Sequence, residues 1–150
     1  MIKKSLYPDT KIDFINIVNY NDSYFPMLEK LLKETGIYWQ DFDNRENLKK
    51  KIEHDPESII LAVENETVIG VVFLVYDPWC PYILHLAVDS RHISKGVGSI
   101  LFRTAEERLK ARGAKFVTGF VKEMNPKALE FCIRRGYKVY NKVYFGGKKL

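Results

Sequence analysis

The spacing of apolar positions changes period several times along this chain, and each change predicts an element. Ile12-Asp-Phe-Ile-Asn-Ile-Val18 predicts a first strand. Asp22 or Ser23 then opens a helix with Phe25, Leu28, Leu31 and Leu32 on one face; Pro26 is tolerated in its first turn and Gly36 ends it. Asp43 and Glu46 have the spacing of a capping box, predicting a second helix that carries Leu48 and Ile52 and stops at Pro56. Two apolar runs, Ser58–Val63 and Thr67–Tyr76, flank a Glu-Asn-Glu turn and predict an antiparallel hairpin. A Pro78-Trp-Cys-Pro81 loop leads to a strand, Tyr82–Val88. Helical spacing returns with Val97, Ile100, Leu101, Ala105 and Leu109, and Gly113 closes that helix, which runs to about Arg112. Lys115–Val121 predicts a strand, Asn125 and Pro126 the capped start of a helix that Gly136 ends, and Tyr137–Phe145 a last strand run.

The resulting order, β-α-α-β-β-β-α-β-α-β, predicts the α/β (α+β) class. The expected architecture is a mixed, mostly antiparallel central sheet with helices on both faces. No repeat, low-complexity tract or linker interrupts it, so residues 1–150 are expected to form a single domain. Composition adds little: 46% hydrophobic and 29% charged residues are ordinary for a globular protein. Lys3 and Lys4 precede no apolar run, and no stretch approaches the roughly 20 apolar residues of a membrane span. A cytoplasmic protein is the expectation, with no membrane partner. Cys80 and Cys132 form no metal-spaced set with each other or with His54, His85 or His92, so no metal is expected, and a disulfide does not suit a reducing compartment. The net charge of +5 suits an anionic ligand, but no block of five like charges appears.

The chemistry concentrates in His85 to Leu101. This stretch reads as strand, turn, two glycines and helix start. Gly96 and Gly98 let backbone N–H groups approach a ligand closely, and a helix N-terminus adds unpaired donors and partial positive charge. That combination suits a phosphate. A dinucleotide fingerprint lacks its third glycine, because Leu101 stands there, and the Gly-Lys-Ser/Thr ending of a Walker loop is absent.

Leu86-Ala87-Val88 followed by Gly96-Val97-Gly98 resembles motif A of the GCN5-related N-acetyltransferases (GNAT superfamily), with Ile93 at the position usually held by Gln or Arg. Downstream, Asn125-Pro-Lys-Ala128-Leu-Glu-Phe131-Cys132-Ile-Arg-Arg-Gly136-Tyr137 resembles the family's Asn-x-x-Ala-x-x-Phe-Tyr-x-x-x-Gly-Phe helix. Only 14 residues follow Gly136, so the family's final hairpin is expected to be abbreviated or merged into one strand. The resemblance implies an acetyl-CoA cosubstrate. Backbone amides of Lys95, Gly96, Val97, Gly98 and Ser99 would hold its pyrophosphate, and Ile93 would offer only its own N–H. Leu86 and Val88 would pair with the pantetheine arm like an added strand, and Asn125 would lie near that arm. A nearby N–H would polarise the thioester carbonyl.

Cys132 stands where the family's tyrosine acid usually stands. A thiol can donate a proton, but a buried cysteine also serves as a small hydrophobe. For the general base, the family's strand position falls on Tyr82, a poor base at neutral pH. His85 is chemically better, but it alternates with Leu84 and Leu86 and is expected on the other sheet face. Glu123 and Asp77 are further candidates. Trp79, Tyr38, Trp39 and Phe42 suit either an acceptor pocket or a core cap, and Arg134 and Arg135 suit a solvated helix end.

The leading expectation is an acetyl-CoA-dependent N-acetyltransferase acting on a primary amine, on a small molecule or peptide, by direct attack in a ternary complex. A non-catalytic acyl-CoA-binding sensor is the alternative, motivated by Cys132 and the missing obvious base. Nucleic-acid binding has only the charge in its favour, with no recognisable motif, and is not expected. The acceptor's identity is open, as is the choice between monomer and homodimer.

Overall fold

The computed structural model describes residues 14–150. Strand β1 (Ile15–Asn19) is followed by a 3₁₀ turn (Asp22–Tyr24), α1 (Phe25–Glu34) and α2 (Arg45–His54). Strands β2 (Ile59–Glu64), β3 (Thr67–Val75) and β4 (Tyr82–Val88) come next, then a 3₁₀ turn (Ser90–His92), α3 (Val97–Ala111) and α4 (Pro126–Arg134). Ile12 and Asp13 of the expected first strand lie outside the described residues. The chain divides into two compact units, one ending at Gly119 and the other Phe120–Leu150. Among the described residues no helix is long and apolar enough to cross a membrane.

The first unit is built on an antiparallel meander of order β1-β2-β3-β4. The β2–β3 hairpin turns through Asn65 and Glu66, both at positive φ (47° and 62°). That is the two-residue geometry whose twist matches the flanking strands. One sheet face carries Ile59, Leu61, Val63, Val71, Phe73 and Ala87, packed against Leu28, Leu31, Leu32 and Leu48 of α1 and α2. The other face meets α3. At Gly70 the approach is so close that an added Cβ would lie 2.8 Å from Leu101 Cδ1 and 3.0 Å from Val97 Cγ1. Any side chain there would have to displace Leu101 or Val97, and its absence seats the start of α3 directly on β3.

Three expectations are corrected. The cap of α2 is Asn44, whose side chain accepts the Asn47 N–H; Asp43 is buried and turned elsewhere, and Glu46 pairs with Lys50 at 2.7 Å. Lys115–Val121 pairs with β4 only through a parallel bridge between Tyr82 and Thr118. Tyr137–Phe145 takes no strand pairing among the described residues. The shared reason for the last two is that aromatic and β-branched content expresses fitness for a pleated surface, whereas a strand exists only where a neighbour completes its ladder.

Candidate active site

The turn from β4 into α3 is held by its own backbone and by two carboxylates. Asp89 gives its N–H to Ile69 of β3 at 2.8 Å, and its side chain accepts the Arg91 N–H at 2.9 Å. His92 Nε2 meets Glu64 Oε2 at 2.8 Å, tying the turn to the end of β2. Ser94 (φ 65°) and Gly96 (φ 86°) are left-handed, so the chain doubles back just before the helix. No side chain caps α3 at Gly96, and the first intrahelical bond runs from the Ile100 N–H to Gly96 O at 3.1 Å. The first-turn amides of Val97 and Gly98 thus have no intrahelical acceptor. Lys95 to Ser99 form one continuous turn into the helix. The Lys95 N–H leans on His92 O at 3.4 Å, and Ile93 is extended and exposed.

Asp89 is well below the usual carboxylate range, because the Arg91 guanidinium and backbone N–H bond its charged form, with a smaller contribution from His92. A carboxylate depressed by folding stabilises the fold above its unfolded pKa, near 4, and loses that contribution as the pH falls through its lower folded value. Asp89→Asn should therefore lower the melting temperature at pH 7, and the gap should close as the pH drops below about 4. Melts across that range check it; a gap of constant size would assign the effect to shape rather than charge.

Strand β4 presents a free edge beside this turn. Ile83 gives its N–H to Thr118 O at 2.9 Å and Thr118 gives its own to Pro81 O at 3.0 Å, both at the start of the strand. Alternation from Asp89, whose N–H faces β3, turns the amides of Leu86 and Val88 to the opposite edge. Outside the β3 ladder neither residue makes a backbone hydrogen bond among the described residues. Gly119 crosses the strand's beginning so closely that an added Cβ would lie 3.1 Å from Ile83 O.

A bulge breaks β4 in its middle. Phe73 pairs with Leu84 but Val71 with Ala87, so His85 and Leu86 together face Val72. His85 takes φ 51°, and its ring stacks on Phe73 at 4.8 Å. The strict alternation expected for His85 does not hold, because an inserted residue re-aims the side chain. The imidazole lies on the face of Phe73 and Leu84, where Nε2 sits 2.9 and 3.0 Å from the two oxygens of Asp43. Asp43 also accepts the Trp39 N–H at 2.8 Å. Trp39 and Phe42, on the same loop, form an exposed edge-to-face pair with centroids 4.5 Å apart. Asp43 is the functional candidate that sequence reasoning missed, since its neighbour Asn44 offers the same cap and nothing local says which residue takes it.

The remaining candidates separate. The Tyr82 phenol is pushed up by its hydrogen bond to Cys80 and by its charge interaction with that residue, which leaves still less phenolate to act as a base at neutral pH. Asp77 is engaged by the N–H groups of Trp79 (2.8 Å) and Cys80 (3.2 Å), while Trp79 is largely exposed. Neither Cys80 nor Cys132 is in a disulfide, and both are half-buried. In the second unit Asn125 caps α4 by accepting the Ala128 N–H at 3.0 Å, and Cys132 lies within that helix. Glu123 lies 4.0 Å from Lys142 on an exposed surface, and Arg134 pairs with Glu130 at 3.1 Å. Arg135 stacks its guanidinium on the Phe131 ring.

The model of the acetyltransferase (GNAT) family matches residues 23–137. The chain belongs to that family. An acetyltransferase of Yersinia pestis (strain Pestoides F) is 26% identical over 108 residues, covering 72% of this chain and 77% of the relative. The fold is that of the PaiA N-acetyltransferase of Thermoplasma acidophilum in complex with coenzyme A, at TM-score 0.77 and 20% identity over 86% of this chain and 92% of that one. It is also that of an aminoglycoside N-acetyltransferase in complex with CoA, at TM-score 0.70 and 14% identity over 91% and 95% of the two chains. As a GNAT protein the chain is an N-acetyltransferase, and its general activity is acetyl transfer.

Proposed function

We propose that this chain, acting as a single domain, binds acetyl-CoA and passes its acetyl group to a primary amine by direct attack in a ternary complex. The observation that carries the reading is the uncapped first turn of α3 at Gly96, set beside the free β4 edge at Leu86 and Val88. Amides of Lys95 to Ser99 bind the pyrophosphate, with Ile93 offering its N–H. The strand edge takes the pantetheine amides, and Asn125, from the family's helix motif, is the further cofactor-binding candidate. The positive net charge favours the anionic cosubstrate. The aminoglycoside enzyme among the structural neighbours supports a small-molecule amine as acceptor.

Thiol release from acetyl-CoA against a panel of amines tests the reading. Double-reciprocal plots that intersect are expected; parallel lines would replace direct attack with a covalent intermediate. Tight acetyl-CoA binding with no turnover of any amine would leave the non-catalytic acyl-CoA sensor instead. Cys132, at the position of the family's usual tyrosine acid, is read as not essential, because thiolate is a good leaving group. Cys132→Ala should lose less than the ~10²-fold expected on removing a useful acid. A loss of several hundred-fold at unchanged melting temperature would make Cys132 the acid.

A further inference from the structure

Asp43 is almost completely buried, yet it spends its carboxylate on one side chain from a distant strand. Both oxygens face His85 Nε2, at 2.9 and 3.0 Å, and Oδ2 also takes the Trp39 N–H. A carboxylate can only accept, so the neutral imidazole must carry its proton on Nε2. The lone pair is then on Nδ1. That nitrogen has no hydrogen-bond partner among the described residues, and the His85 side chain is 27% exposed.

The backbone is arranged at a cost to present this nitrogen. A histidine at φ 51° inside a strand is unfavourable, and the stack on Phe73 and the Asp43 pair hold it there. The bulge sets His85 immediately before Leu86, whose amide faces the free strand edge. We infer that His85 is the general base of the acetyl transfer, accepting the acceptor's proton at Nδ1, and that Asp43 positions it.

This assignment rests on the proposed acetyl-CoA chemistry. His85 Nδ1 takes one proton from the acceptor ammonium, R–NH₃⁺, leaving R–NH₂ and an imidazolium paired with Asp43. The amine lone pair forms a C–N bond to the thioester carbonyl carbon, and the carbonyl π pair moves to oxygen. When that pair returns, the C–S bond breaks and its electrons leave with the CoA thiolate. The thiolate takes the proton still on the new amide nitrogen, and the imidazolium returns its own to solvent. Asp43 bonds the ring directly, Tyr38 carries a charge interaction with Asp43, and Lys51 lies over the Phe73 ring on which His85 stacks. The Tyr38 phenol is pushed up by burial, then Glu29 and Asp43, and the Lys51 Nζ lies 5.8 Å from the Phe73 ring centroid with burial pushing it down.

The test compares the full-length wild type with His85→Ala, His85→Gln and Asp43→Asn. Sisomicin, spermidine and an N-terminal alanyl peptide serve as acceptors, and calorimetry follows acetyl-CoA. Wild-type kcat/KM should rise with pH along a one-proton limb below the acceptor's own, which lies near 10 for an alkylamine. His85→Ala should lose about 10²- to 10⁴-fold, lack the lower limb and regain part of its rate with added imidazole. His85→Gln keeps a donor for Asp43 without a base, and stands in if His85→Ala fails to fold. Asp43→Asn should lose about 10-fold or more in kcat with KM for acetyl-CoA unchanged and the limb retained. His85→Gln retaining wild-type kcat/KM and the lower limb would overturn the assignment. So would an activity loss that tracks weakened acetyl-CoA binding and resists imidazole. A wild type that binds acetyl-CoA but acetylates none of the three would sink the proposed reaction, and the base with it.

Discussion

Gly98→Val should weaken acetyl-CoA binding by about 100-fold or more, equivalent to roughly 2.8 kcal/mol, while the melting temperature without ligand stays near that of the wild type. Gly98 is the second residue of α3, in the turn whose amides lack intrahelical acceptors. A phosphate bound there must come within hydrogen-bond distance of the backbone, and a β-branched side chain occupies that approach. Valine is also a better helix former than glycine by a few tenths of a kcal/mol, which offsets part of any local crowding. Calorimetry with acetyl-CoA and melts of the free protein separate binding from folding. Equal affinity in the two proteins would remove the turn from the binding site.

Gly70→Val should damage both properties at once. Its Cβ alone would stand 2.8 Å from Leu101 Cδ1 and 3.0 Å from Val97 Cγ1, and valine adds two methyl groups beyond it. Leu101 and Val97 are fully buried, so neither has free space to retreat into. Overpacking of this kind costs about 1–3 kcal/mol, which corresponds to a fall in melting temperature of roughly 2–12 °C for a protein of this size. Val97 is the first residue of α3, so relief of the clash also moves the turn that precedes it. A weaker acetyl-CoA complex is expected together with the lower melting temperature. A variant that melts early yet binds normally would show that helix seating and the binding turn are independent.

Much of the fold was legible because its signals are local. The bounds of β4 match those expected, and α3 ends one residue before the expected Arg112. The helix-opening pair Asn125 and Pro126 and the left-handed Gly36, Gly96, Gly113 and Gly136 act through their own backbone geometry, which no distant contact has to supply. The glycine turn is legible for the same reason. The outer strands were not. Thr118 pairs with Tyr82 at a single point, and Tyr137–Phe145 has the composition of a strand but joins no ladder among the described residues.

The His85–Asp43 pair shows where local reading stops. Asp43 and Asn44 are equivalent caps by chemistry, and the choice between them follows from a contact across 42 residues. His85 obeys alternation in the sequence and escapes it through a bulge that only register with β3 reveals. Gly70 reads as an isolated glycine in a strand until Leu101 and Val97 are seen against it. The amino-acid sequence by itself determined most of the elements, the family and the glycine turn that opens α3, because each depends on spacing within one segment. The tertiary structure alone decided which carboxylate meets the imidazole, which ring nitrogen is left free, and what a side chain at Gly70 would have to displace, because those depend on atoms that meet only after the segments pack.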